Sequence, residues 1–320
     1  MTDIEYINTE PFGFEKGTAV ALGNFDGFHL GHRAIIGAAE EYSRKNGIHS
    51  CIYTFIEHPS RILSAGSSGD SLLMTNSEKS RVAREIGVDA LIYDDFSCVK
   101  NMSPSDFCKD VLIEKLNVKA VFSGENFRFG RNAEGDARFL QKELAPHGVE
   151  VFTIPFVTYN GSVISSTVIR NIIELGAPEI AEKLLGRPYS IECEVVHGME
   201  LGRKLGFPTI NQLYPSEKVS PLRGVYASVC TIDGKRYAGV SNVGVKPTVT
   251  NADTAPLLCE TYVIGYNGDV YGKTVKTEFC KLLRKEKKFD SLDELKDAVH
   301  KNIGETREFF GKEKRYGLSL

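Results

Sequence analysis

Leu22-Gly23-Asn24-Phe25-Asp26-Gly27-Phe28-His29-Leu30-Gly31-His32 is the stretch on which the fold turns. Ahead of it, Thr18-Ala19-Val20-Ala21-Leu22 reads as a buried strand. Behind it, Ala34, Ile35, Ala38, Ala39 and Tyr42 recur at the three- and four-residue spacing of a helix. In an open parallel sheet, ligands collect outside the carboxyl ends of the strands, which is where this loop falls. Its glycines let the backbone come close to a ligand. The helix starting near His32 offers N–H groups and a positive dipole end to a phosphate. His29 and His32 can donate to phosphoryl oxygens and stabilise charge that grows as phosphorus is attacked. On this chain's base frequencies, H-x-G-H arises by chance about once in 70 such sequences. Two other readings stay open: surface histidines on an ordinary turn, or a metal pair, for which no third ligand is evident.

Working outward, strand and helix signals alternate up to about residue 186. Cys51–Phe55, Ala90–Tyr93, Val118–Phe122 and Val149–Ile154 read as strands. Glu78–Ile86 reads as a helix, and another begins at Ser103-Pro104-Ser105-Asp106, with a hydroxyl cap, proline first and an acid in the first turn. This alternation predicts a parallel sheet covered on both faces. After Gly186-Arg187-Pro188 the period changes. Ile191–Val196 is a strand, Gly224–Ile232 and Lys235–Val240 flank Asp233-Gly234, and Cys259–Tyr266 and Tyr271–Phe279 flank a turn around Asn267-Gly268. Such spacing predicts an antiparallel barrel. A closing helix starts at Ser291-Leu292-Asp293-Glu294, a capping box, with Leu292, Leu295, Val299 and Ile303 as its apolar stripe. The expected domains are 1–186 and 187–320.

The 320 residues are 42% hydrophobic and 25% charged with net charge -3, which argues for two globular domains and against a polyanion partner. The basic run Lys281–Lys288 reads as a solvated strand end. No stretch reaches the roughly 20 apolar residues of a membrane helix, and the start has no leader pattern. Seven scattered cysteines without a C-x-x-C pair read as reduced thiols in a cytoplasmic protein.

Two further patches carry chemistry. Ile164-Ser165-Ser166-Thr167-Val168-Ile169-Arg170 puts three hydroxyls at a helix start and an arginine one turn in, a clamp suited to a polyphosphate. Gly198-Met199-Glu200-Leu201-Gly202-Arg203-Lys204-Leu205-Gly206-Phe207-Pro208-Thr209-Ile210-Asn211 is glycine-rich and basic, yet lacks the G-K-[ST] ending of a Walker loop. By itself it is either a barrel turn or a backbone phosphate cradle.

These residues resemble the bacterial bifunctional riboflavin kinase/FAD synthetase family. ALGNFDGFHLGH with ISSTVIR is similar to its FMN adenylyltransferase half, and GRKLGFPTIN is similar to its riboflavin kinase signature. The likeness runs from about Thr18 to Phe310 through Gly224–Ala227, Asn242-Val243-Gly244, Lys246-Pro247-Thr248, Glu260, Tyr271-Gly272, and Arg284 to Leu292. The resemblance implies a Rossmann-like nucleotidyltransferase sheet (α/β) followed by an all-β riboflavin-kinase-type barrel with its closing helix. It implies phosphorylation of riboflavin to FMN by the barrel, then adenylyl transfer from ATP to FMN by the first domain, giving FAD and pyrophosphate.

By the same resemblance, His29 and His32 flank the ATP phosphates with Gly23, Asn24, Asp26 and Gly31, while Ser165, Ser166, Thr167 and Arg170 hold the polyphosphate. Asn126, Phe127 and Phe129 lie on the flavin side, although without the resemblance the two phenylalanines read as core. In the barrel, Gly198, Gly202 and Lys204 cradle phosphate, and Thr209 and Asn211 give oxygens to Mg²⁺. Glu260 is the general base and Arg284 seats the flavin. Departures from the family pattern are Asn126 for an acid, Glu57 before His58-Pro59, Val168 for a polar residue, Ile210 for alanine, and Asn302 for an acid. They imply tuning of affinity or rate, with little effect from Asn302. The expected partners are riboflavin, FMN and ATP, with no nucleic acid or membrane, and a homo-oligomer left open. The alternative is a nucleotidyltransferase for another small phosphate ester, with a barrel that only binds a ligand.

Overall fold

The computed structural model describes residues 3–7, 13–57, 59, 62, 71–198, 202, 205–245, 256–313 and 316–318. The chain divides into two compact units, Met1–Ser166 and Thr167–Leu320.

The first unit holds a six-stranded sheet. Its strands are β1 (Asp3–Tyr6), β2 (Thr18–Leu22), β3 (His49–Phe55), β4 (Ala90–Asp94), β5 (Val118–Gly124) and β6 (Glu150–Ile154), in spatial order β1-β4-β3-β2-β5-β6. Five strands run parallel as expected. β1 is an antiparallel edge on β4, pairing Asp3 with Tyr93; its four residues DIEY carry too little apolar signal to mark a strand. Alternate residues serve opposite layers. Ala19, Ala21, Ile52 and Leu91 meet helix α1 (Leu30–Asn46) and helix α2 (Asn76–Ile86) through Ile36, Ala39, Val82 and Ala83. Val20, Leu22, Cys51 and Ile92 pack on the other side against Phe107, Val111, Leu112 and Leu140. Burial on both faces explains why these strands read as continuous apolar runs. The helix announced by Ser103 is capped as predicted, Ser103 Oγ accepting from the Asp106 N–H at 3.1 Å, and continues as a π-helical segment, Phe107–Lys115.

Chain order reverses between β2 and β5, because β3 and β4 lie on one side of β2 while β5 and β6 lie on the other. The loops that leave β2 and β5 therefore part at a switch point, and a crevice forms there in open α/β sheets. Those loops are residues 23–29 and 125–130.

Two short helices, Ser166–Glu174, whose first residue is the last of the first unit, and Pro178–Leu185, precede the closed six-stranded antiparallel barrel of the second unit. Its strands follow in sequence after the small hairpin β7 (Thr158–Tyr159) and β8 (Ser162–Val163) of the first unit: β9 (Tyr189–Val196), β10 (Thr209–Leu213), β11 (Gly224–Ile232), β12 (Lys235–Val245), β13 (Leu257–Val263) and β14 (Thr274–Lys285). Strand order around the barrel is β10-β13-β12-β11-β14-β9. The Asp233-Gly234 turn is as expected, with φ of 50° and 77°, the pair of positive values a two-residue hairpin requires. The Asn267-Gly268 turn does not join neighbours. β13 and β14 are not paired, and positive φ falls instead on Gly265 and Gly272, at either end of a longer crossing connection.

Inside the barrel a polar network sits beside the apolar side chains of Cys230, Ile232, Val263 and Val275. Ser228 Oγ and Ser241 Oγ are 2.6 Å apart, Ser241 Oγ and Thr261 Oγ1 are 2.7 Å apart, and Thr277 Oγ1 donates to Gln212 Oε1 at 2.7 Å. Because alternate strand residues face opposite ways, this network sends Thr209, Asn211, Val240, Asn242 and Glu260 to the outside of the barrel. The closing helix, Leu292–Lys312, lies on that outer face. Ser291 caps it, accepting from the Glu294 N–H at 3.1 Å. Its buried line is Asn302, Thr306 and Phe310, whereas Leu292 of the predicted stripe is 57% exposed. The helix crosses the barrel with its C-terminal half, so its first turn has nothing to cover.

Candidate functional site

The loop after β2 is built on a strained backbone. Phe25, Gly27 and Phe28 all have positive φ, at 48°, 88° and 38°. A left-handed phenylalanine costs about 1–3 kcal/mol. Both rings are 0% exposed, and full burial of such a ring contributes a similar amount, about 1.5–3 kcal/mol. The rings thus act as plugs that hold the turn. Gly23 is required beneath them, since a Cβ there would meet the Phe25 ring at 2.9 Å.

The turn delivers His29 to the N-cap of α1, where its Nδ1 accepts from the His32 N–H at 3.3 Å. With Nδ1 accepting, a neutral His29 ring carries its proton on Nε2 and is a donor there. The two imidazoles stack, 3.6 Å between centroids and 21° between planes, and the Phe25 ring meets His32 edge-on at 5.3 Å. Gly31 leaves room for this, because a Cβ at that position would stand 3.1 Å from His29 Cε1. Gly31→Ala is expected to disturb the stacked imidazoles and lower the turnover of this site about tenfold with the helix no less stable, since alanine favours helix by about 1 kcal/mol over glycine. Turnover and thermal unfolding measured together check it; unchanged turnover would sink the point.

Ser166 Oγ donates to the Asp26 carbonyl at 2.8 Å, so one hydroxyl of the second patch closes on the first. Thr167 and Arg170 continue into the helix, and Arg170 is buried. The Asp26 carboxylate does not face a ligand crevice: it is 1% exposed and accepts from the Leu73 N–H at 2.9 and 3.1 Å and the Met74 N–H at 3.3 Å. Asn24 presents its carbonyl inward, to Thr54 Oγ1 at 3.0 Å and Lys79 Nζ at 3.3 Å. Sequence reading missed Thr54 and Lys79; neither sits in a motif.

On the β5 side, Asn126 is exposed at the tip of a turn closed by the Phe127 N–H on the Gly124 carbonyl at 3.0 Å. Phe127 is half-buried and stacks on Phe129, 5.7 Å between centroids. Phe129 is 8% exposed and wedged against Phe107 and Phe139, as the plain core reading expects. Of the two rings, Phe127 has the open face.

The barrel's candidate site is a cleft of about 290 Å³ whose lining includes Thr209, Asn211, Asn242, Glu260, Arg284 and Asn302. Glu260 on β13 stands in register with Asn211 on β10 and Asn242 on β12, so a half-exposed carboxylate is flanked by two amides. Thr209 lies two residues from Asn211, on the same strand face. Asn211 is 5% exposed, and its Oδ1 is buried with no hydrogen-bond partner among the described residues. An orphaned carbonyl oxygen beside a hydroxyl is a donor set that suits a hard divalent cation. The glycines above are pressed onto these two side chains: a Cβ at Gly198 would meet Asn211 Nδ2 at 2.5 Å, and one at Gly202 would meet the Phe207 carbonyl at 2.6 Å and Thr209 Oγ1 at 3.4 Å. Lys204 lies outside the described residues. Arg284 donates from Nε to Asn302 Oδ1 at 3.1 Å, and Asn302 Nδ2 donates to Glu305 Oε2 at 3.1 Å. The Arg284 guanidinium sits 5.2 Å from the Phe289 ring, and its partial burial lowers its pKa. A second cavity of about 330 Å³ shares Thr209 and Asn211 and runs under residues 266–271.

Two family models match in order: FAD synthetase over residues 13–168 and riboflavin kinase over residues 185–310. The bifunctional riboflavin kinase/FMN adenylyltransferase of Escherichia coli K12 is 35% identical over 304 residues, covering 93% of this chain and 94% of that protein. The chain belongs to the bifunctional riboflavin kinase/FMN adenylyltransferase family. Another member, from Bacillus subtilis, is 32% identical over 295 residues, 92% of each chain. The crystal structure of a macrolide-efflux protein from Streptococcus pneumoniae has the same fold, with a TM-score of 0.81 at 30% identity, over 91% of this chain and 94% of that one. Among the described residues no helix is long and apolar enough to cross a membrane. In family terms, the switch-point crevice belongs to the adenylyltransferase half and the 290 Å³ cleft to the kinase half.

Proposed function

We propose that the barrel cleft phosphorylates riboflavin and the switch-point crevice adenylates the FMN so formed. One observation carries the kinase half: a carboxylate, Glu260, shares one wall with the hard oxygens of Thr209 and Asn211. Glu260 takes the proton of the ribityl 5′-hydroxyl while that oxygen attacks the γ-phosphorus of ATP, and ADP leaves. Thr209 and Asn211 would hold Mg²⁺ through their side-chain oxygens. The metal supplies neutralisation of phosphate charge. Arg284, fixed by Asn302 and stacked on Phe289, lines the flavin end. In the first unit a phosphate oxygen of FMN attacks the α-phosphorus of ATP and pyrophosphate leaves. His29 and the first-turn N–H groups of α1 stabilise the charge that develops. Phe127 stands on the flavin side.

We keep the functional boundary near residue 186, close to the start of the riboflavin kinase match at residue 185. A cytoplasmic setting is supported by the seven unbridged cysteines. Chromatography of flavin products during incubation with riboflavin, ATP and Mg²⁺ tests the whole: FMN is expected first and FAD later. FAD from added FMN, with riboflavin untouched, would leave the barrel a binding module only. Asn211→Ala is expected to raise the Mg²⁺ concentration needed for half-maximal riboflavin phosphorylation about tenfold or more. A magnesium titration of both half-reactions checks it, and an unmoved midpoint would remove Asn211 from the metal.

A further inference from the structure

Lys79 is a charged side chain buried to 6% exposure in the first unit, and neither half-reaction as described uses it. Its place is set by sequence-local chemistry. Thr75 and Glu78 form a reciprocal capping box at the start of α2, and the Lys79 N–H bonds back to the Thr75 carbonyl at 3.0 Å. Lys79 is thereby one turn into the helix, and its Nζ reaches the Asn24 carbonyl at 3.3 Å. Two residues on, the buried Asp26 carboxylate grips the Leu73 and Met74 N–H groups just ahead of that helix. The ties run both ways: α2 reaches into the loop through Lys79, and the loop reaches back through Asp26. Between the two anchor points lies Phe25 at φ 48°, and three residues beyond Asp26 lies His29. Burial draws the Lys79 ammonium down to about 8, while the Asp26 carboxylate works to keep it charged. A cation so placed is retained at a cost in desolvation, and an aliphatic residue would fill the volume more cheaply.

We propose that Lys79 is a positioning residue for adenylyl transfer: with Asp26 it fixes the Asn24–Phe25–Asp26 turn, and hence His29 and the N-terminus of α1, in the shape that receives the ATP phosphates. This rests on the first unit being the FMN adenylyltransferase, so conversion of FMN to FAD by the parent chain is established first; its absence there would count against that reading and not against Lys79. A turn free to relax from left-handed φ displaces the phosphate cradle by the order of an ångström, enough to cost about 100-fold in turnover.

The test uses the full chain as Lys79→Met and as Lys79→Met with Asp26→Asn, assayed separately for FMN adenylylation and riboflavin phosphorylation. The double variant removes both buried charges together and is expected to fold where the single one takes away the cation whose charge acts on Asp26. In the double variant, the kcat of adenylylation is expected to fall about 30- to 100-fold, with KM for ATP within about threefold and riboflavin phosphorylation unchanged. The single variant is expected to be no more active than the double. Adenylylation within about twofold of the parent in the double variant overturns the proposal. So does a large rise in KM for ATP at constant kcat, because Lys79 would then be a direct ligand of the nucleotide.

Discussion

Glu260→Gln is expected to lower riboflavin phosphorylation about a thousandfold while FMN adenylylation continues within about twofold of the parent rate. Gln keeps the shape and one acceptor oxygen, so the pairing of β13 with β10 and β12 survives. Glu260 is half-exposed at the cleft, so the change itself buries no new charge. What Gln lacks is the ability to take a proton, and a 5′-hydroxyl that keeps its proton is a poor nucleophile. Each half-reaction is measured alone, with riboflavin or FMN supplied together with MgATP. Phosphorylation within about tenfold of the parent would show that Glu260 is not the base. Parallel loss of both activities would argue that a single centre serves both reactions.

The converse experiment is at His29. His29→Ala is expected to reduce FMN adenylylation about 100- to 1,000-fold, the range for loss of one oriented donor to a developing oxyanion, and to spare riboflavin phosphorylation. Alanine also removes the N-cap of α1, worth about 1 kcal/mol, so lost activity alone is ambiguous. His29→Asn separates the two roles, because asparagine caps a helix as well as any residue and offers no imidazole. Its thermal midpoint is expected to match the parent while adenylylation stays low. Parental turnover in the His29→Asn variant would reduce His29 to a capping role.

Much of the fold was legible in short-range chemistry. Thr18–Leu22 is apolar at nearly every position because β2 is covered on both faces, and Asp233-Gly234 is the pair a tight hairpin requires. Ser103 and Ser291 announce helix starts because an N-cap is a local hydrogen bond. β1 escaped notice because an antiparallel edge of four residues takes its order from β4 and not from its own pattern. The Asn267-Gly268 pair misled because a turn signal does not say which strands it joins; β13 and β14 find their partners elsewhere in the barrel. Leu292 looked like core because helical periodicity marks a face without saying how far along the helix that face is covered.

The candidate residues divide in the same way. Glycines 23, 31, 198 and 202 could be picked out as loop glycines, while the structure supplies the atoms each must avoid. Asp26 could be read only as a carboxylate near phosphate; its tie to Leu73 and Met74 spans 47 and 48 residues of sequence. By itself the sequence determined the two domain types, their order, and the motifs proposed for phosphate and metal chemistry, since these follow from local periodicity and from residue types at fixed spacing. Only the tertiary structure decided that Glu260 stands between Asn211 and Asn242, that Asn302 holds Arg284, and that Lys79 supports the Asn24 carbonyl. Those contacts join residues on separate elements, and their register is set by barrel closure and core packing, which no short window of sequence encodes.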